Sequence, residues 1–276
     1  MIFETATLGA SLRPYIDSIL YFKGFMPEHA IERVVPTGQG FLIFELDGIE
    51  RHMFDNATLE PQQTYAESWI SGVQRGYISI SAHQDSEMLV VQFKSTGAAP
   101  FLHVDMGLLQ DRVLAAHECL GPEVVALRKQ LVQGANAIQK LERAMAWLHG
   151  RLDESRAAPA PLQAVIERIA NHPTRDLDDA MHGYPHTPKH LIAQFKRFVG
   201  TTPKTYHRIV RFNAVLARIN QAQKLTWADV AALSGFSDQS HFIKEFRAFS
   251  GFNPTEFAKL DLGDHSENFF PLDAKG

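Results

Sequence analysis

Four side chains late in this 276-residue sequence carry groups suited to reading a nucleic-acid surface: Gln239, Ser240, Lys244 and Arg247. A glutamine amide can pair with an adenine edge, serine with several base edges, and lysine or arginine with guanine or phosphate oxygens. On a helix turning about 100° per residue, Ser240, Lys244 and Arg247 fall opposite Phe242, Phe246 and Phe249. Gln239 and Ile243 lie on one flank. Phenylalanines behind and short polar or basic groups in front suit a helix that sits in a DNA major groove. The same split also describes an ordinary amphipathic helix with a solvated basic face.

The elements that must hold these groups lie in residues 226–257. Trp227, Val230, Ala231 and Ser234 follow i, i+3, i+4, i+7, the spacing of one helical face. Gly235 interrupts the pattern where a turn needs conformations closed to residues with a Cβ. Ser237 is then a candidate N-cap, with Asp238 suited to the positive end of the next helix. That helix stops at Gly251, with Pro254 beyond. A helix, a short glycine-containing turn and a second helix make a helix-turn-helix.

A second copy stands 51 residues upstream. Phe195-Lys-Arg-Phe198-Val-Gly200-Thr-Thr-Pro203 mirrors Phe246-Arg-Ala-Phe249-Ser-Gly251-Phe-Asn-Pro254. Thr187 takes the N-cap position and Pro188 the favoured first helical position. Lys189, Lys196 and Arg197 in this copy are placed to hold phosphates. Between the copies, residues 204–223 lack Gly and Pro and repeat Tyr206, Ile209, Phe212, Val215, Leu216 and Ile219 at helical spacing. About nineteen residues make a rod of ~28 Å, comparable with the ~34 Å separating successive major grooves.

The second copy resembles the AraC/XylS transcription regulators. Ala231-x-x-x-Gly235-Phe236-Ser237-Asp238-Gln239-Ser240-His241-Phe242 and Phe246-x-x-Phe249-x-Gly251-x-x-Pro254 follow that family's signature, and the likeness spans residues 162–260. It implies two helix-turn-helix units joined by a linker helix and bound to promoter DNA. By position, the base-reading side chains it implies are Lys189, Ile192 and Ala193 in the first unit, and Gln239, Ser240 and Lys244 in the second. The first unit departs from the signature: Pro185 aligns with the turn glycine and Met181 with the preferred alanine. Ile192 and Ala193 offer a thymine methyl apolar contact but no hydrogen bond, so the first unit should discriminate less. The front half resembles the barrel-plus-helices domain of many members of the same family, through Arg33-Val-Val-Pro36-Thr-Gly38, Ile70-Ser-Gly72-Val and Val91-Gln-Phe93-Lys-Ser-Thr-Gly97-Ala-Ala. That resemblance implies sensing or dimerisation and names no ligand.

Charge divides by region. Residues 1–160 hold 13 Lys/Arg against 19 Asp/Glu, residues 161–260 hold 13 against 8, and the last sixteen hold 1 against 4. The basic excess therefore coincides with the DNA module, as phosphate neutralisation requires. Residues 12–95 read as short strands: residues 15–25, 40–46, 69–73, 77–81 and 88–93, each bounded by turn residues. Residues 98–153 turn helical, with an antiparallel pair expected over 123–133 and 136–151. The expected fold is α+β: an N-terminal β-barrel or sandwich with trailing helices, then an all-α double helix-turn-helix domain. The boundaries follow as a regulatory domain over 1–154 (β-rich 1–97, helical 98–154), a Pro/Ala linker over 155–161, a DNA-binding domain over 162–260 and an acidic tail over 261–276. Phe269-Phe270-Pro271-Leu272 in that tail reads as part of a loosely ordered terminus.

Other chemistry is thinner. Tyr21, Phe41, Ile43, Trp69, Ile78 and Ile80 would line an effector pocket in the barrel, but plain core is the better reading, since strands must bury such residues whether or not a ligand exists. His182, His186 and His190 have i, i+4, i+8 spacing, yet Pro185 and Pro188 break any helix that would stack them on a metal. His52 and His83-x-Asp85 fall near turns and read as surface. Cys119, the sole cysteine, excludes an internal disulfide and reads as a small buried apolar residue. No metal, cofactor or catalytic group is expected. No window approaches a membrane span, so a cytoplasmic protein is the default. Expected partners are double-stranded promoter DNA, a small-molecule effector, a second copy of the chain and RNA polymerase. Two other classes stay open at this point: a barrel enzyme carrying a DNA module, and a ligand-independent interaction protein with weak DNA binding.

Overall fold

Period-two alternation in the front half builds two facing antiparallel sheets. The computed structural model describes residues 1–221, 239–257 and 268–272. Its strands are β1 (Ile2–Thr5), β2 (Ile16–Phe25), β3 (Ile31–Val34), β4 (Phe41–Glu45), β5 (Arg51–Phe54), β6 (Pro61–Tyr65), β7 (Ser68–Ser71), β8 (Ile78–Ser81), β9 (Ser86–Phe93), β10 (Val113–Ala115) and β11 (Phe269–Pro271). One sheet runs β1-β2-β9-β4-β7-β10 and the other β11-β3-β8-β5-β6. Ile43 lies opposite Trp69 on β7 and Val90 on β9, so these three share the face turned toward the second sheet. Their neighbours Leu42, Phe44, Leu89 and Val91 turn outward and are almost completely buried.

What buries that outer face is helical. α1 (Ala99–Leu102) and a 3-10 turn (Met106–Leu109) precede β10; α2 (Ala116–Leu120), α3 (Pro122–Val132) and α4 (Ala137–Arg151) follow it. Asn136 caps α4 by accepting from Gln139 N at 2.9 Å. One continuous core runs from Phe44 and Leu89 through Val124, Leu131 and Leu148 to Leu162 and Phe195 in the back half. Lys140 of α4 is buried in it beside Glu87, which also takes Lys23 Nζ at 2.9 Å and the Tyr21 hydroxyl at 3.0 Å.

The stretch read as a linker is packed down. Asp153 N donates to Pro100 O at 3.0 Å, Arg156 Nη1 donates to His103 O at 3.3 Å, and Ala158 is buried. The back half continues with α5 (Ala160–Asn171), α6 (Leu177–Met181), α7 (Pro188–Phe198), α8 (Pro203–Gln221), α9 (Gln239–Ser250) and α10 (Pro254–Phe257). The first helix expected in the second unit, together with Gly235 and the candidate cap Ser237, lies outside the described residues.

The loosely ordered terminus is corrected for residues 268–272. Phe269–Pro271 pairs with β3, Val35 N donates to Asn268 O at 3.0 Å, and Leu272 N donates to Ile31 O at 3.0 Å. Phe270 is buried edge-on against Phe257, 4.8 Å between ring centres. The physical reason is non-local: β3 is otherwise an open sheet edge, and the aromatic cluster beside it needs cover. Cys119 is likewise only partly buried, on α2. No helix among the described residues is long and apolar enough to cross a membrane.

Candidate nucleic-acid interface

α7 begins with a built cap. The Thr187 hydroxyl accepts from His190 N at 3.2 Å and Pro188 occupies the first turn, where its missing N–H costs nothing. Leu191, Phe195 and Phe198 are buried, while Lys189, Ile192, Ala193, Lys196 and Arg197 are exposed. Arg197 also borders a cleft of about 330 Å³ shared with Asp105 and Arg156. Ahead of the helix, Tyr184, His186 and His190 gather. The two imidazoles lie 4.4 Å apart, and the Tyr184 hydroxyl is 3.0 Å from His190 Nδ1. His182 takes part through its backbone, its N–H to Asp179 O and its carbonyl to Arg168, both at 3.3 Å. Among the described residues no three His, Cys, Asp or Glu side chains converge as a metal set.

α9 repeats the division of faces. Phe242, Phe246 and Phe249 are buried, and Gln239, Ser240, Lys244 and Arg247 are exposed. Phe212 of α8 fills the space behind, 5.5 Å from Phe246 and 5.1 Å from Phe249. Glu245, passed over in the sequence, is the anchor. Its carboxylate accepts from Arg211 Nη2 at 3.0 Å and lies 3.3 Å from Arg208 Nε and 3.4 Å from His241 Nε2. The signal for it was available: a lone acid among phenylalanines, facing two arginines three residues apart on the linker helix.

Residues 186–260 match a helix-turn-helix domain family, and residues 9–115 match a domain of unknown function, DUF6597. The C-terminal segment is an AraC-type helix-turn-helix domain. No curated protein sequence matches the chain. Among solved structures, ToxT from Vibrio cholerae O395 is 11% identical over 87% of this chain and 96% of its own, with a TM-score of 0.46. The same protein bound to (E)-4-(8-methylnaphthalen-1-yl)but-3-enoic acid is 11% identical over 88% and 98%, at 0.46. ToxT from strain SCE256, bound to an unsaturated fatty acid, is 12% identical over 88% and 96%, at 0.45.

α7 and α9 of the AraC-type domain both end against the front half. Gly200, with φ +95°, leaves only 2.9 Å between a hypothetical Cβ and Met106 O in the 3-10 turn. Its repeat partner Gly251, with φ +77°, sits equally close to Tyr77 and Arg33. Arg33 is held between the rings of Tyr77 and Phe252, 4.8 and 4.3 Å from their centres. Further along the same segment, Pro36 O accepts from Asn213 Nδ2 at 2.9 Å, and Gly38 receives the Tyr206 ring. The Tyr206 hydroxyl lies 2.9 Å from Ser95 Oγ. The Arg-x-x-Pro-x-Gly segment is therefore a seat for the linker helix and for the end of α9, contacts that no local pattern announces.

The six pocket residues separate by face. Ile43 and Trp69 cluster between the sheets with Phe41 and Ile78, and strand alternation puts Ile80 on the same side as Ile78. Tyr21 points the other way, beneath α4, with Lys140 5.6 Å from its ring centre. Two polar groups between the sheets escaped the sequence reading. Glu45 is fully buried, accepting from Trp69 Nε1 at 2.9 Å and lying 3.0 Å from Arg51 Nη2. Burial, outweighing Arg51 and the indole N–H, pushes its carboxyl up to about 7. A folded value above the ordinary 4.5 means the fold favours the protonated form. This contribution is full below pH ~4.5, fades as pH rises through ~7, and is level above. Glu45→Gln should remove it: the wild-type stability, measured relative to the variant by urea unfolding, should fall by roughly 2–3 kcal/mol between pH 4.5 and 7.5.

Proposed function

We propose that the chain is a sequence-specific transcription regulator in which a front domain over residues 1–154 controls a DNA-binding domain over residues 162–260. The observation that supports it best is the division of faces on both reading helices. Lys189, Ile192, Ala193, Lys196 and Arg197 on α7, and Gln239, Ser240, Lys244 and Arg247 on α9, are open to solvent while every phenylalanine behind them is buried. Gln239, Ser240 and Lys244 read bases, and the first unit contributes mainly phosphate contacts. Thr187 starts α7. The space between the sheets takes a small-molecule effector, and the signal passes through the seats of Gly200, Gly251 and Tyr206, shifting the module between competent and incompetent arrangements. A second copy pairs through the α3–α4 hairpin, where Val132 and Ile138 are exposed.

Binding of the full chain to the DNA upstream of its own gene, titrated with salt, tests this reading. Lys196→Ala should weaken specific and random DNA alike and reduce the salt slope by about one. Gln239→Ala should instead cost about 1–3 kcal/mol of preference at one base pair. Unchanged binding in both variants would remove the reading.

A further inference from the structure

The two faces of the first sheet are packed very differently. Outward, Leu42, Phe44, Leu89, Val91 and Phe93 are sealed at 0–1% exposure. Inward, where a second sheet faces them, Phe41, Met88 and Val90 remain partly exposed, as do Met53, Ile78 and Ile80 opposite. Side chains of a filled sandwich interdigitate until such residues are dry. The inward face is thus less tightly sealed than the outward one.

At one end of this space two buried polar atoms lack hydrogen-bond partners. Glu45 Oε1 is taken by Trp69, but Oε2 has only the ion-pair contact with Arg51. Arg51 Nη2 donates to Asp47 Oδ2 at 2.6 Å, and Arg51 Nη1 has no partner. Glu45 is 0% and Arg51 6% exposed. Both belong to this space: Glu45 alternates with Ile43 on β4, and Arg51 alternates with Met53 on β5 and faces Tyr65 across β6. An open acceptor therefore stands beside an open donor. Orphaned buried polar groups are costly and rare, and a ligand that pairs both would relieve the cost.

We propose that the space between the sheets binds an uncharged small molecule with an apolar body and a carboxamide-like head, whose N–H meets Glu45 Oε2 and whose carbonyl meets Arg51 Nη1. This rests on the effector reading above and names the class of ligand. An anionic head would face Glu45 and Asp47 and compete with Asp47 for the one guanidinium. A cationic head would meet the Arg51 guanidinium, which already engages both nearby carboxylates, Glu45 and Asp47. A polyol would leave hydroxyls unpaired against Phe41, Met53 and Met88. At the other end of the same strand face, Gln92 donates to Gln39 at 2.7 Å, and both border a cleft of about 260 Å³ with Asn213 and Leu216 of the linker helix. An occupant thus extends toward the helix that separates the two reading helices.

Calorimetric titration of the full chain with benzamide, benzoate and benzylamine, three probes sharing one ring, tests the class. Benzamide should bind at least tenfold more tightly than either charged probe, and Arg51→Met should reduce that margin below threefold. Val90→Phe, which fills the space without touching the polar pair, should weaken benzamide at least tenfold while leaving the unfolding transition cooperative. Benzoate or benzylamine binding as well as benzamide, with Val90→Phe blocking it, would overturn the class and leave the effector space standing. Absence of binding by all three, with DNA binding unaffected by Val90→Phe, would overturn the effector space and the ligand class together.

Discussion

Phe246→Ala is expected to lower the unfolding free energy of the full chain by about 3–5 kcal/mol, the usual cost of emptying a phenylalanine site in a core. Phe246 is 1% exposed and meets Phe212 of the linker helix, Phe242 of its own helix and Phe257 of α10, with ring centres 5.3–5.7 Å away. The same aromatic cluster takes in Val35 and Val73, just beyond β3 and β7, and Phe270 of the tail. Four parts of the chain would lose their common filler at once, so the cavity cannot collapse locally. Urea unfolding measures the loss, and Phe269→Ala is the control. Phe269 is 36% exposed on the same tail strand, and its removal should cost less than about 1 kcal/mol. Phe195, the repeat counterpart of Phe246, lies in the other core, against Tyr206 at 5.9 Å. The two copies thus share a pattern while being buried by different partners.

Gly72→Ala should cost about 3 kcal/mol and weaken DNA binding from a distance. A Cβ at residue 72 would stand 1.9 Å from Leu109 O, a backbone atom with no room to retreat because Leu109 is itself 3% exposed. Gly72 N also donates to Arg112 O at 3.0 Å, tying β7 to the end of the same turn. That turn is the platform on which Gly200 ends α7, with Met106 O facing it and Asp105 Oδ1 accepting from Gly107 N at 2.8 Å. Displacing the turn moves the seat of α7. Unfolding and DNA affinity measured on the same preparation test both consequences. Gly150→Ala makes the opposite control: nothing lies within 4 Å of its Cβ position on α4, and alanine there should stabilise by about 0.5–1 kcal/mol.

Legibility in the sequence followed how local each signal was. The Phe-x-x-Phe-x-Gly repeat sets both helix faces and both helix ends within a few residues, so α7 and α9 could be read directly. The linker helix ends within two residues of its expected limits, at Pro203–Gln221. β2, β4, β7 and β9 were legible because each buries one apolar face or both, and β8 because its isoleucines alternate with serines. β6, Pro61–Tyr65, is exposed along almost all its length and carries no alternation to find. β11 depends on an edge more than 230 residues away in the chain, which no window contains. Tyr21 was assigned to the pocket because an aromatic residue on a strand does not reveal which sheet face will be covered by helices. Arg33, Glu45 and Glu245 were missed for a related reason. Arg33 and Glu245 are charges whose roles are set by partners distant in sequence, Phe252 and Arg211, whereas Glu45 pairs with Arg51 across the turn between β4 and β5.

The central claim is that two helices of one chain meet successive grooves of the same DNA. Selection of bound sequences from a random duplex library by the full chain tests it most directly. The account predicts enrichment of a site with two short elements roughly 10 base pairs apart, the element under α9 being the more sharply defined and losing its definition in Gln239→Ala. Sequences no different from the starting library, or a single element with nothing one turn away, would contradict it.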